Sequence, residues 1–342
     1  MAASSPRRRA SGRITLADVA RAAGVSPITV SRALRGERAV DPELVARAQD
    51  AARRLGYVPD PAARALASQR STHVAVLIPM LSNALFVDLL GAVQRTLRPA
   101  GYQTLIGVTN YDRQEEEQLL REQLMHRPAG LIVTGFDHSA GTRDLIERSS
   151  APCVHVMELC EPDRPADCVG FFQEEAAGAM TRHLLDAGRR RIAFAAAQLD
   201  TRTLQRLDGW RKQMRAAGLH SPTLEWLNPA PSSMALGGAM FEQILGQRPA
   251  VDAVFFCNDD LAQGALLAAQ RLRVQVPQRV AVVGFNDLTG SDQMQPPLTT
   301  VRTPRAEIGA AAAAMLLARM RGEPVEQQRV DLGFEIVVRS SG

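Results

Sequence analysis

The sequence predicts a two-part molecule: a small all-helical head, then an α/β core of two similar subdomains with doubly wound parallel sheets. Three observations carry that expectation. Cap residues, a tight turn and apolar residues spaced by three and four recur through residues 14–60. Residues 1–70 hold 13 Lys and Arg against 6 Asp and Glu, whereas the remaining 272 hold 27 against 30. From Thr72 onward, short apolar runs alternate with helical periods, the pattern of βαβ units. With 342 residues, 46% of them hydrophobic and 22% charged, the chain suits a globular protein with more than one core.

The head begins at Thr15, which with Asp18 forms a helix start carrying an acid at its third position. Leu16, Val19, Ala20 and Ala23 then share one helical face, and Gly24 is placed to end the helix in a left-handed conformation. Val25 is the apolar residue of the turn. Ser26 and Pro27 open a second helix with a buried stripe of Val30, Ala33 and Leu34. Asp41-Pro42 repeats the opening signal for a third helix, with Leu44, Ala48, Ala51 and Leu55 inward and Gly56 at its close.

Two short helices about a tight turn, buttressed by a third, form the geometry that lays the second helix in a DNA major groove. Pro27, Ile28, Thr29, Ser31, Arg32 and Arg35 would then face outward. Arg32 has the fork that pairs with guanine, and Thr29 and Ser31 suit phosphates or base edges. Pro27 and Ile28 offer apolar contact. The concentration of positive charge over the same segment is the footprint of phosphate binding, and residues 1–13 are expected to be a basic flexible arm.

The run from Thr15 to Ser68 resembles the DNA-binding head of the LacI/GalR family of bacterial transcriptional regulators. The residues that carry the likeness are Asp18-Val19-Ala20, Gly24-Val25-Ser26, Thr29-Val30-Ser31-Arg32, Leu55-Gly56-Tyr57, Pro59 and Ala63-Arg64 with Leu66. The resemblance implies a helix-turn-helix domain over 14–60 and a hinge helix with linker over 61–71. It places Leu66 as a wedge that opens a central base step in the minor groove and adds Thr15, Ser26, Tyr57 and Arg64 to the DNA-contacting set. Asp60, next to Pro61, departs from the polar residues common there and suits a helix cap better than a phosphate contact.

In the core, residues 74–78 form an apolar run ending before Pro79, the mark of a buried parallel strand. Helices are expected over 86–99, 114–126, 174–187, 207–217, 234–245 and 261–272, and strands over 102–108, 130–133, 153–157, 191–195, 253–257 and 280–283. The alanine run 310–314 reads as helix, and 334–338 as a final strand. Two successive sets of βαβ units imply two subdomains with a ligand crevice at the carboxyl ends of the strands.

Enzyme chemistry finds no foothold. There is no GxGxxG after either first strand, no GxSxG, no HExxH and no P-loop. Cys153 and His155 share a strand face, a spacing more typical of core packing than of a thiol–imidazole pair. No cofactor, metal site, disulfide framework or membrane span is expected, and a cytoplasmic location follows from those expectations.

Residues 72–342 resemble the sugar-binding core of the same family, itself related to periplasmic sugar-binding proteins. Leu77-Ile78-Pro79, Arg206 before Gly209-Trp210, Cys257-Asn258-Asp259-Asp260, Val283-Gly284-Phe285-Asn286-Asp287 and Pro297-Leu298-Thr299-Thr300 carry that likeness. A narrower similarity, to repressors of gluconate or ketogluconate utilisation, rests on Asn110-Tyr111-Asp112, Leu199 to Thr203 and Val330 to Phe334. A sugar acid needs a cation and short polar groups. Arg206 and then Arg202 are the carboxylate candidates, Asn258 and Asn286 the hydroxyl partners. Ser82, Asn83, Thr134 and Phe86 would line the first subdomain. A neutral sugar or purine effector, and a solute-binding protein without a regulatory role, stay open. The expected partners are double-stranded operator DNA, a small effector and a second copy of the chain, since a palindromic site is read by two heads. Whether the effector releases DNA or strengthens its binding is not legible.

Overall fold

The computed structural model of the chain describes residues 14–34, 40–58, 71–81, 84–163 and 165–342. It divides into two compact units, Met1–Arg70 and Ser71–Gly342.

The first unit holds α1 (Leu16–Ala23), α2 (Pro27–Leu34) and α3 (Pro42–Leu55). Thr15 donates its backbone N–H at 3.0 Å and its hydroxyl at 2.7 Å to Asp18 Oδ2, which closes the first turn of α1. Ser26 Oγ accepts the Thr29 N–H at 3.1 Å, and Asp41 Oδ1 accepts the Glu43 N–H at 2.8 Å. Gly24, at φ 66°, reverses the chain between α1 and α2, a conformation that side-chain-bearing residues rarely take. Helices of eight residues do not persist alone. They hold here because Val19 and Val30, both fully buried, pack with Ala20, Ala23, Ala33, Ala48, Ala51 and Ala52. Each valine contributes about 1.5–3 kcal/mol. Arg47 Nη2 ties α3 to the end of α1 through the Ala23 carbonyl at 2.6 Å. The inward stripe of α3 is turned slightly from expectation: Val45 and Ala52 join the core, and Leu44 is only half-buried.

The second unit is α/β. Its first half runs β1 (His73–Ile78), α4 (Ala84–Leu97), β2 (Gln103–Val108), α5 (Arg113–Met125), β3 (Gly130–Thr134), α6 (Ala140–Arg148), β4 (Cys153–Val156) and β5 (Cys168–Gly170). Next come α7 (Gln173–Asp186), β6 (Ile192–Ala197), α8 (Thr201–Ala216), β7 (Glu225–Asn228), α9 (Met234–Gln247), β8 (Ala253–Phe256), α10 (Asp259–Arg271), β9 (Ala281–Asn286) and β10 (Thr299–Arg302). The chain ends through α11 (Arg305–Arg321), β11 (Arg329–Asp331) and β12 (Glu335–Val337).

Two six-stranded sheets result, in the orders β11-β5-β4-β3-β1-β2 and β12-β10-β9-β8-β6-β7. Every pairing is parallel except β10 with β12. The chain therefore builds most of one subdomain, then most of the other, and returns to give each a last strand. On the return, α11 packs on α4, and Arg319 grips Asp167 through two bonds of 2.6 and 2.7 Å. The continuous apolar runs are explained by helices covering both sheet faces: Val74 to Ile78 and Ile192 to Ala197 are essentially inaccessible.

The structure adds elements that periodicity alone does not mark: α6 and the short strands β5, β7, β10 and β11. Three- and four-residue strands carry too few positions to show a period. Helix α8 begins at Thr201, well before residue 207, because Asp200 Oδ1 accepts the Thr203 N–H at 2.8 Å. Among the described residues no helix is long and apolar enough to cross a membrane.

Candidate functional site

Parallel strands of both subdomains direct their carboxyl ends at a common cleft. The backbone turns sharply there. Tyr111 (φ 60°), Met157 (φ 74°), Gln198 (φ 52°) and Asn286 (φ 107°) all lie at or just beyond the ends of strands β2, β4, β6 and β9. Such conformations are costly for residues with side chains, and they cluster where a structure must aim a group. All four line one cavity of about 40 Å³. Met80, Leu85 and Phe86 complete its first-subdomain wall. Asp200, Arg202, Thr203, Arg206, Ser232 and Asn258 complete the other. A neighbouring space of about 280 Å³ shares Tyr111, Gln198, Asp200 and Arg202 with it.

Arg202 and Arg206 are one turn apart near the start of α8. Arg206 is buried: Nε donates to Gln173 Oε1 at 2.8 Å, Nη1 donates to the Cys257 carbonyl at 2.6 Å, and the guanidinium lies 3.9 Å over the Phe285 ring. Gln173 in turn donates to the Met157 carbonyl at 3.0 Å, linking the arginine to the first wall. Burial pulls the Arg206 pKa down, but a guanidinium stays charged in any protein. Among the described residues it has no salt-bridge partner. Arg202 differs. Burial opposes its charge, but Asp200, bonded at 3.0 Å, and then Glu158 raise its pKa above the ordinary value. Its guanidinium crosses the cleft over Gly135 (φ 71°), where an added Cβ would stand 2.9 Å from Nη1. Glu158 is the acid beside that crossing. Its Oε2 accepts the Phe136 N–H at 2.9 Å, its Oε1 is buried without a partner among the described residues, and burial pushes its pKa up.

The asparagines do different work. Asn258 caps α10 through the Leu261 N–H at 3.1 Å and exchanges hydrogen bonds with Ser232 at 2.9 and 3.1 Å. Asn286 Oδ1 is buried with no partner among the described residues. Phe86 lines the cavity as expected from the sequence. Thr134 does not: it faces the larger space, and its hydroxyl donates to the Leu77 carbonyl at 3.0 Å. Ser82 and Asn83 lie outside the described residues. Tyr111, Met157, Gln198, Asp200, Thr203 and Ser232 were not among the sequence candidates. Asn110-Tyr111-Asp112 and Asp200 stood within motifs, but nothing in their spacing aimed them at the cleft.

In the head, Ser26, Pro27, Ile28 and Arg32 are exposed on or beside α2, Ile28 at 68%, while Thr29 and Ser31 are half-buried. The Ser26 and Thr29 hydroxyls lie 2.8 Å apart as a hydrogen-bonded pair. Thr15 is engaged with Asp18, and Tyr57 packs on the head's core. Arg35, Arg64, Leu66 and the segment 61–70 lie outside the described residues.

The Cys153–His155 pair does not form a reactive dyad. Burial pushes the Cys153 thiol up to about 12 and His155 down to about 4, and the imidazole stacks on Phe136 at 4.3 Å. No group of three metal-ligating side chains occurs among the described residues.

Comparison with known proteins agrees with this geometry. Residues 15–60 match the family model described as bacterial regulatory proteins, lacI family, and residues 181–342 match a periplasmic binding protein-like domain. The chain is 53% identical over 333 residues to the HTH-type transcriptional regulator GntR of Pseudomonas aeruginosa, covering 97% of each. It is 36% identical to the regulator of the same name from Escherichia coli, covering 95% of this chain and 97% of that one. The crystal structure of transcription regulator GntR from Chromobacterium violaceum superposes with a TM-score of 0.77 at 48% identity, covering 79% of this chain and 98% of that one.

Proposed function

The chain belongs to the lacI family of bacterial regulatory proteins, and from that premise we propose a repressor that binds a palindromic operator as a dimer and is controlled by a small sugar acid. The acid is of the gluconate or ketogluconate type and sits in the core cleft, its carboxylate on Arg206. One observation carries this reading. Arg206 is a buried cation beside a cavity, with two neutral hydrogen-bond partners and no ion-pair partner among the described residues. An unpaired buried charge is costly, and a ligand carboxylate removes that cost through charge-assisted bonds. Met80, Leu85 and Phe86 suit the carbon chain, and the open Asn286 Oδ1 suits a hydroxyl.

On DNA, α2 would enter the major groove with Arg32 and Ile28 forward, and the segment around Leu66 would open the minor groove. Effector and operator then act on one conformational equilibrium, each altering the affinity of the other by the same factor. A gel shift of the full chain on a palindromic operator tests the reading, with gluconate, ketogluconate, a neutral hexose and a purine added in turn. The sugar acids alone should change operator affinity, and binding should weaken steeply with salt. A response only to the neutral sugar or the purine, or to none of the four, overturns the effector assignment. Equal affinity for scrambled duplex overturns the repressor.

A further inference from the structure

We propose that Tyr111, with Gln198 opposite it, gauges the length of the effector and so selects among acids of different chain length; this rests on the sugar-acid reading above. The inner cavity, about 40 Å³, is the smaller of two adjoining spaces. A long acid with its carboxylate on Arg206 can extend into the other, of about 280 Å³. Tyr111, Gln198, Asp200 and Arg202 line both spaces and form the partition between them.

Two of those four are already committed, Asp200 and Arg202 to each other at 3.0 Å. The other two are not. The Tyr111 ring, from the first subdomain, lies 5.9 Å from Arg202 Cζ of the second. Its hydroxyl and the Gln198 side-chain amide make no hydrogen bond to any described residue. Both residues stand in left-handed backbone, and Asn110 before Tyr111 does too, at φ 50°. Two costly turns aim two polar groups without a hydrogen-bond partner among the described residues at one passage from opposite walls. Burial pushes the Tyr111 hydroxyl up to about 12, so it keeps its proton and can both donate to and accept from a ligand hydroxyl. An acid long enough to pass the partition gains these bonds. An acid too short to reach them does not.

The test is calorimetric titration of the full chain with glycerate, a four-carbon and a five-carbon aldonate, and gluconate, using displacement for the weaker ligands. Wild type, Tyr111→Phe and Gln198→Met are compared. Tyr111→Phe should weaken gluconate roughly 3- to 15-fold, the effect of one hydrogen bond, and leave glycerate unchanged within two-fold. Gln198→Met should show the same length dependence. Equal weakening across the series, or no change for gluconate in either variant, overturns the length gauge while the sugar-acid reading stands. A wild type that binds none of the acids overturns that reading, and the gauge falls with it before any variant is compared.

Discussion

The two walls of the cleft are built on different principles. On the second wall the main charged groups and Asn258 are fixed before any ligand arrives, whereas the Gln198 side-chain amide and Asn286 Oδ1 have no partner among the described residues. Arg206 is held by Gln173, Cys257 and Phe285, Asn258 by its cap and Ser232, and Asp259 beneath them by three donors. The first wall is mostly apolar surface from Met80, Leu85 and Phe86, with Tyr111 turned in on a strained loop. One wall supplies pre-organised charge and the other supplies shape. Pre-organisation lowers the ordering cost of binding, so the affinity for a carboxylate should reside on the second wall. Which acid is chosen should be decided by Tyr111 of the first wall with Gln198 opposite it.

The largest effect should come from Arg206→Ala. It removes the only cation on the second wall that lacks an ion-pair partner among the described residues, and affinity for a sugar acid should fall about 1,000-fold, or about 4 kcal/mol. Thermal unfolding must be measured alongside, because Gln173 Oε1 and the Cys257 carbonyl also lose a donor. Arg206→Lys keeps the charge but not the fork, and should recover only part of the loss. An Arg206→Ala protein that folds and still binds gluconate at wild-type affinity would move the charge recognition off this wall.

Asp259 tests the same rigidity without a ligand. It is fully buried, and burial pushes its carboxyl up to about 6 against bonds from Thr300, Leu288 and Ser291 that pull the other way. A carboxyl whose native pKa is raised holds its proton more tightly when folded. Its stabilising contribution is complete below about pH 4 and is lost as the pH climbs through 6. Asp259→Asn cannot titrate. The stability of wild type relative to the variant should therefore decline by up to about 3 kcal/mol between pH 4 and 7. Denaturant melts at each pH decide it, and parallel pH curves for the two proteins would mean that the carboxyl titrates normally.

The contrast between the walls also explains what could be read from the chain. The head was legible because its signals are local: Thr15 with Asp18, Ser26 with Pro27, and Gly24 each act within four residues. The arginines of α8 were legible from the chemistry an acid demands. Tyr111, Met157 and Gln198 were not, since they enter the cleft through left-handed backbone at strand ends, which no spacing of side chains encodes. Strands β5 and β11 were hidden for another reason. β11 pairs with β5 across more than 150 residues, Cys168 opposite Arg329, and the three-residue β5 lies between it and β4. Thr134 was placed at the right strand end, but sequence could not say where its hydroxyl points.

That hydroxyl gives the smallest effect. Thr134 Oγ1 donates to the Leu77 carbonyl at 3.0 Å in a buried setting, on the wall assigned to shape. Thr134→Val keeps the volume and removes the bond, which should cost about 1 kcal/mol of stability. Thr134 lines the adjoining space, but its hydroxyl is committed to Leu77, so gluconate affinity should stay within two-fold of wild type. The two measurements pull apart if the hydroxyl has a second role. A loss of affinity with unchanged stability would mean that Thr134 turns from Leu77 to the ligand when the cleft fills. The first wall would then carry a polar contact of its own, and the division between charge and shape would be less clean than its geometry indicates.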